Sequence, residues 1–355
     1  MTVLSVTYFF VFFFFFRSLL SLLVSSRHRS SPRVAPLFAS LCLALPRTLC
    51  HSFGHPGICT VTFYKGDAQA ALADLRTKTL TMLQSNPWTA GRFLQKDLVF
   101  SNTCTETDVD DIITPNVLKN SAVNRNQPYP ALVAAVAKNP NMSVQKGKHV
   151  QTTAGRIMKL VVVEPETSDG TFAIIFSMSH AAADGADYYR IFNMICGTDP
   201  VEVLNPVRVV EFETREPEWI GKKDHGWVGG GGGLIKGMLA GACCGPKANW
   251  CCYKVDSAKI GLAKTEAVAK AEKLGAIGVE YVSTNDILTS HFGRACAARV
   301  IMMVVNMREK TELNITKNHA GCYETCLLLD AENYIEPSFI RLSLNAGVPY
   351  TRQMP

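Results

Sequence analysis

The run Thr171–Met178, TFAIIFSM, constrains the fold more than any other stretch of the chain. Five of its eight residues are β-branched or aromatic and almost none is polar, and a run of this length is too short for a buried helix. It reads as a strand covered on both faces, at the centre of a sheet. Immediately after it the chain passes through Ser179, His180 and three alanines to Asp184-Gly185, which starts a helical pattern from Ala186 to Ile195. A central strand that hands a histidine to a following helix belongs to a layered α/β fold.

The remaining patterns agree with that class. Ile58–Tyr64 alternates and is β-branched, so it predicts a strand. Asp67 caps a helical pattern from Ala68 to Leu83, with Ala71, Leu72, Leu75, Leu80 and Leu83 on its apolar stripe, and Asn86-Pro87 ends it. Residues 94–100 and 157–163 read as strands. Beyond the glycine run in Gly226–Gly233, Cys251–Val255 reads as a short strand. Asp256 caps a helix to about Leu274, Ser283–Cys296 is helical, and Val300–Asn306 is a strand. Five consecutive glycines maximise chain freedom and lack the Gly-Lys-Ser/Thr of a phosphate loop, so they read as a linker. The expected organisation is a leader at 1–56, a first αβ lobe at 57–225, a Gly-rich crossover at 226–250 and a second lobe at 251–355.

Charge separates the leader from the rest. The chain has 36 Lys+Arg against 30 Asp+Glu, and residues 1–66 hold six of the basic residues and no acidic one, so the remainder carries 30 of each. A neutral body without a basic stripe excludes nucleic acid as a partner, because phosphate neutralisation needs clustered Lys/Arg. Residues 3–24 are apolar apart from Arg17 and a few hydroxyls, long enough to cross a bilayer at about 20 residues. Basic residues follow this run instead of preceding it, which by the positive-inside rule leaves the body in the cytosol. Three readings stay open: membrane association through residues 3–24, a signal or organelle-targeting segment built on Val34–Leu45, or upstream sequence that forms no structure. The localisation is accordingly organelle-targeted, membrane-anchored with a cytosolic body, or cytoplasmic.

The twelve cysteines do not follow a zinc spacing. Cys243-Cys244 and Cys251-Cys252 form two pairs, but the nearest histidines are His225 and His291. No metal is expected, and the thiols read as free in a reducing compartment.

The chemistry-bearing segment is Ser177–Gly185, SMSHAAADG. A histidine at a strand end is suited to general-base work, and the small alanines at 181–183 leave room beside the imidazole. The segment resembles the H-x-x-x-D-G signature of the chloramphenicol acetyltransferase-like superfamily, which includes the plant BAHD acyltransferases and the condensation domains of peptide synthetases. Four further segments resemble that family in its own order. These are Asn86–Phe93 (NPWTAGRF), Val282–Leu288 (VSTNDIL), Val304–Arg308 (VVNMR) and His319–Tyr323 (HAGCY). The resemblance spans roughly 58–330.

The resemblance implies two lobes forming a tunnel, with no permanently bound cofactor and acyl-CoA as co-substrate. His180 would deprotonate the hydroxyl or amine of a small-molecule acceptor, which then attacks the thioester carbonyl. Asp184, Gly185 and Arg308 would support the site, with Arg308 as the ionic partner of Asp184. Ser283, Thr284 and Asn285 would touch the thioester or the oxyanion; equally, Ser283–Asp286 is a capping sequence for a helix. Arg92 reads as a surface or packing residue, and Trp88 as a core residue. A monomer is expected.

Two departures from the family pattern bear on function. Ser179 stands where the fuller motif has a second histidine, which fits simple acyltransferases better than peptide condensation. No D-F-G-W-G-type segment follows His319–Tyr323, so the second lobe looks incomplete. The alternatives to a CoA-dependent acyltransferase are therefore a non-catalytic scaffold or binding protein with a degenerate fold, and a condensation-type enzyme using carrier-bound thioesters.

Overall fold

A computed structural model describes residues 2–4, 57–94, 97–145, 150, 153–166, 170–222 and 255–346. Most of the apolar leader, the glycine run, the paired cysteines at 243, 244, 251 and 252, and most of the strand expected at 251–255 lie outside the described residues. Among the described residues no helix is long and apolar enough to cross a membrane.

The chain divides into two compact units. The first takes in Met1–Arg208, Gly237–Cys251 and Asn318–Cys322. It is built on a five-stranded sheet. Its strands are β1 (Thr2–Leu4), β2 (Ile58–Lys65), β5 (Leu118–Lys119), β6 (Met158–Glu164) and β7 (Thr171–Met178), in spatial order β1-β2-β7-β6-β5. β7 is central, as its composition requires. It runs antiparallel to both neighbours, with Ile175 opposite Val61 on one side and Val161 on the other. Only the β5–β6 pairing is parallel among these strands.

Every residue of β7 is buried, because helices cover both faces. Phe172, Ile174, Phe176 and Met178 join a core with α1 (Ala68–Ser85), α2 (Glu106–Ile112) and α4 (Gly185–Cys196). Ala173 and Ile175 face the opposite core, where Leu132 and Val136 of α3 (Tyr129–Lys138) pack. The period of two thus sorts one continuous apolar run between two cores. Each large side chain so buried contributes about 1.5–3 kcal/mol.

Sequence patterns locate α1 well. Asp67 caps it through hydrogen bonds from the backbone of Gln69 and Ala70, and Thr79 and Met82 complete the buried stripe where Leu80 is only partly covered. The strand expected at 94–100 is instead a hairpin of β3 (Arg92–Leu94) and β4 (Asp97–Val99). Each short strand turns one residue inward, Phe93 and Leu98, while Leu94 is 63% exposed. Arg92 packs as a structural residue, ion-paired to Asp111 at 2.7 Å and bonded to the Ala154 carbonyl at 3.0 Å.

The second unit takes in Val209–Lys236, Cys252–Lys317 and Tyr323–Pro355. An antiparallel pair, β8 (Val300–Asn306) and β9 (Glu324–Asp330), matches Met303 with Leu327 and Val305 with Thr325. One core joins this pair to α5 (Glu211–Ile220), with Phe212 edge-on to Tyr323 at 5.4 Å, and to Tyr334 of α8 (Ala331–Tyr334). A second core joins α6 (Ser257–Ala271), α7 (Thr284–Ala295) and α9 (Pro337–Ala346). The fold class is mixed α/β in both units.

Candidate active site

The chain leaves the central strand under tight control. Ser179 donates its N–H to the Ile157 carbonyl at 2.7 Å, and Ala182 donates to the Ser179 carbonyl at 3.0 Å. These bonds close a turn with His180 and Ala181 at its tip. His180 is half-buried, Ala181 and Ala182 lie against the first core, and Ala183 is buried. Ser179 is 1% exposed, and its Oγ has no hydrogen-bond partner among the described residues.

Asp184 is 1% exposed and serves as the N-cap of α4. Its Oδ1 accepts the backbone N–H groups of Ala186 at 3.0 Å and Asp187 at 3.1 Å, two of the donors a helix start leaves without an internal partner. Gly185 follows with a φ outside the positive range, and a Cβ added there would meet no heavy atom within 4 Å. The backbone there tolerates a larger residue, and glycine leaves open space beside the turn.

Tyr188, one turn into α4, locks the helix to the sheet. Its hydroxyl donates to the Phe176 carbonyl at 2.7 Å and lies 2.8 Å from the Thr60 Oγ1, which donates to it. Burial raises the Tyr188 phenol well above its ordinary range, and the neighbouring Cys59 pushes the same way.

The segment Asn318–Cys322 is stapled to the same unit. Asn205 donates its N–H to the Asn318 carbonyl at 2.7 Å and accepts from the Ala320 N–H at 2.8 Å. Arg190 reaches the Asn318 Oδ1 at 3.0 Å, and Arg208 donates to the Cys322 carbonyl at 2.6 Å. The buried Asp187 carboxylate accepts the Gly321 N–H at 2.6 Å. These contacts bring Cys322 to His180: its Sγ lies 3.2 Å from the His180 carbonyl oxygen and 3.8 Å from Nδ1.

The other sequence-predicted residues belong to the second unit. Ser283 caps α7 in a reciprocal box: its Oγ accepts the Asp286 N–H at 3.1 Å, and the Asp286 carboxylate accepts the Ser283 N–H at 2.7 Å. Thr284 and Asn285 are exposed in the first turn. Arg308 is buried; its guanidinium lies 5.2 Å from the centre of the Tyr323 ring and donates to the Asn306 Oδ1 at 3.1 Å.

Within the first unit, then, one imidazole stands at a strand end with a thiol beside it and a capped helix start behind it. Such a group can accept and return a proton near neutrality. Two contributors escape a reading of the sequence. Asp187 looks like an ordinary acid in a helix's first turn, and Cys322 looks like one more free thiol. Only the fold brings Cys322 to His180 and ties Asp187 to the segment that carries it.

No family model matches the chain, and no curated protein matches it. Its structure is similar to that of F. sporotrichioides TRI101 complexed with coenzyme A and T-2, at 12% identity and a TM-score of 0.43, covering 83% of this chain and 71% of that one. It is similar to VibH, an NRPS condensation enzyme, at 13% identity and a TM-score of 0.43, covering 89% and 73%. It is also similar to vinorine synthase, at 14% identity and a TM-score of 0.42, covering 81% and 68%.

Proposed function

We propose that the protein is an acyltransferase that moves an acyl group from a CoA thioester to the hydroxyl or amine of a small acceptor, with His180 as general base. The observation behind this reading is the position of His180. It stands half-buried at the tip of a hydrogen-bonded turn that leaves the fully buried strand β7 and enters α4 through the Asp184 cap. The turn carries the H-x-x-x-D-G pattern, and the four other segments follow in family order. His180 takes the acceptor proton as the new bond to the thioester carbonyl forms. The collapse of the adduct releases the CoA thiol, which recovers that proton. Asp184 and Arg308 support the geometry, and Ser283, Thr284 and Asn285 are proposed contacts for the thioester.

Thiol release from a panel of acyl-CoAs, with His180→Ala beside the wild type, tests this reading. General-base loss lowers the rate by about 10²–10⁴-fold. Full activity in His180→Ala removes the base assignment, and no turnover of any acyl-CoA by the wild type turns the reading to a binding protein.

A further inference from the structure

We propose that Cys322 sets the tautomer of His180, holding the proton on Nδ1 and leaving the lone pair on Nε2 for the acceptor. This makes Cys322 a positioning residue, and it rests on the reading of His180 as the base. The sulfur lies 3.2 Å from the His180 carbonyl oxygen. A carbonyl offers only lone pairs, so the thiol proton points at it. The same sulfur lies 3.8 Å from Nδ1. With its proton already committed, sulfur can only accept, and this contact is attractive when Nδ1 carries the hydrogen. The opposite tautomer sets a nitrogen lone pair against a sulfur lone pair. Which imidazole nitrogen holds the proton follows from the bond the other one makes.

The same geometry argues against Cys322 as a nucleophile. A thiol whose hydrogen is directed at a carbonyl oxygen 3.2 Å away does not present itself for attack on a substrate. Nor is its position accidental. Arg208 holds the Cys322 carbonyl at 2.6 Å, and Asp187 holds the preceding Gly321 N–H at 2.6 Å. Both anchors belong to the unit that carries His180.

Imidazole ¹⁵N NMR of the full chain at mildly alkaline pH reads the tautomer directly, with the His180 signal assigned by its loss in His180→Ala. The Nδ1–H form is expected in the wild type and in Cys322→Ser, whose hydroxyl can donate and accept in the same way. Cys322→Ala is expected to shift toward Nε2–H. Its kcat should fall about 10–100-fold at unchanged KM, the usual effect of removing a partner that orients a functional histidine, and Cys322→Ser should recover most of it. An Nε2–H wild type, or an unchanged tautomer in a folded Cys322→Ala, overturns the inference. If Cys322→Ala does not fold, the wild-type tautomer decides alone. Activity that survives His180→Ala while the tautomer still responds to Cys322 removes the base reading and leaves this one standing.

Discussion

Asp187 accepts the backbone N–H of Gly321 at 2.6 Å, joining positions 134 residues apart in the chain. The carboxylate is 0% exposed, in the first turn of α4, where the helix dipole favours a negative charge. This bond fixes the segment that carries Cys322. Asp187→Ala removes this acceptor from a partly buried N–H and should cost about 1 kcal/mol. Alkylation of Cys322 should also become faster, because its segment loosens. Asp187→Asn keeps a carbonyl oxygen and should lose less. Thermal melts and peptide mapping after iodoacetamide check both effects; an unchanged alkylation rate in Asp187→Ala would show that the segment does not depend on this bond.

Tyr188→Phe isolates the link between α4 and the sheet. The phenol bridges the Thr60 hydroxyl and the Phe176 carbonyl inside the core. Removing only the oxygen leaves both without that partner while the ring packing stays. A loss of about 1–3 kcal/mol in denaturant unfolding is expected. Thr60→Val in the same background should restore part of it, because it removes the stranded hydroxyl as well.

The elements that carry the site were legible because their physics is local. β7 is an unbroken apolar run, and α1, α4, α6 and α7 each begin on a side-chain cap, at Asp67, Asp184, Asp256 and Ser283. Elements with weaker local signals escaped. α5 contains Pro217, β5 has two residues, and α3 starts after Pro128 without a side-chain cap. The surroundings of His180 escaped for a different reason. Cys322 reaches it through bonds from Asn205, Arg208 and Asp187, and long-range pairings of that kind leave no periodicity in the chain.

Alkaline pH should weaken the fold through two buried thiols. Burial pushes Cys59 from 9.0 up to about 12, and it raises Cys196 as well. The unfolded thiols lose their protons from about pH 9, while the folded ones keep them. Stability from these groups is therefore complete below about pH 9 and is lost as pH rises toward 12, by up to about 1.4 kcal/mol per pH unit for each group. Urea midpoints measured across pH 7–11 should fall in the upper half of that range. Cys59→Ala should start lower and decline less steeply. Equal slopes for variant and wild type would remove Cys59 as a cause.

Asp286 tests how much of Ser283–Asn285 is structural. Its carboxylate is 0% exposed, closes the Ser283 capping box and accepts from Arg341 Nε at 2.9 Å. Asp286→Ala leaves the partly buried Arg341 without its counter-charge and should cost about 3–5 kcal/mol. Ser283→Ala loses one cap bond and should cost about 1 kcal/mol, and Ser283→Gly only a few tenths. Thr284→Ala and Asn285→Ala touch neither bond, so a rise in their KM for acyl-CoA would be a contact effect. An unchanged KM in both would return this segment to capping alone.

Asp184 separates two roles by magnitude. As a helix cap it is worth about 1 kcal/mol, and a serine in its place would keep most of that. As one half of a buried ion pair it is worth about 3–5 kcal/mol, and serine would recover none of the charge. The two backbone N–H groups that its Oδ1 accepts make the cap the expected role. Asp184→Ala should then lose about 1 kcal/mol in urea unfolding, and Asp184→Ser should recover most of it. A loss of about 3–5 kcal/mol shared by both variants would show instead that the buried charge itself is needed, beyond the cap.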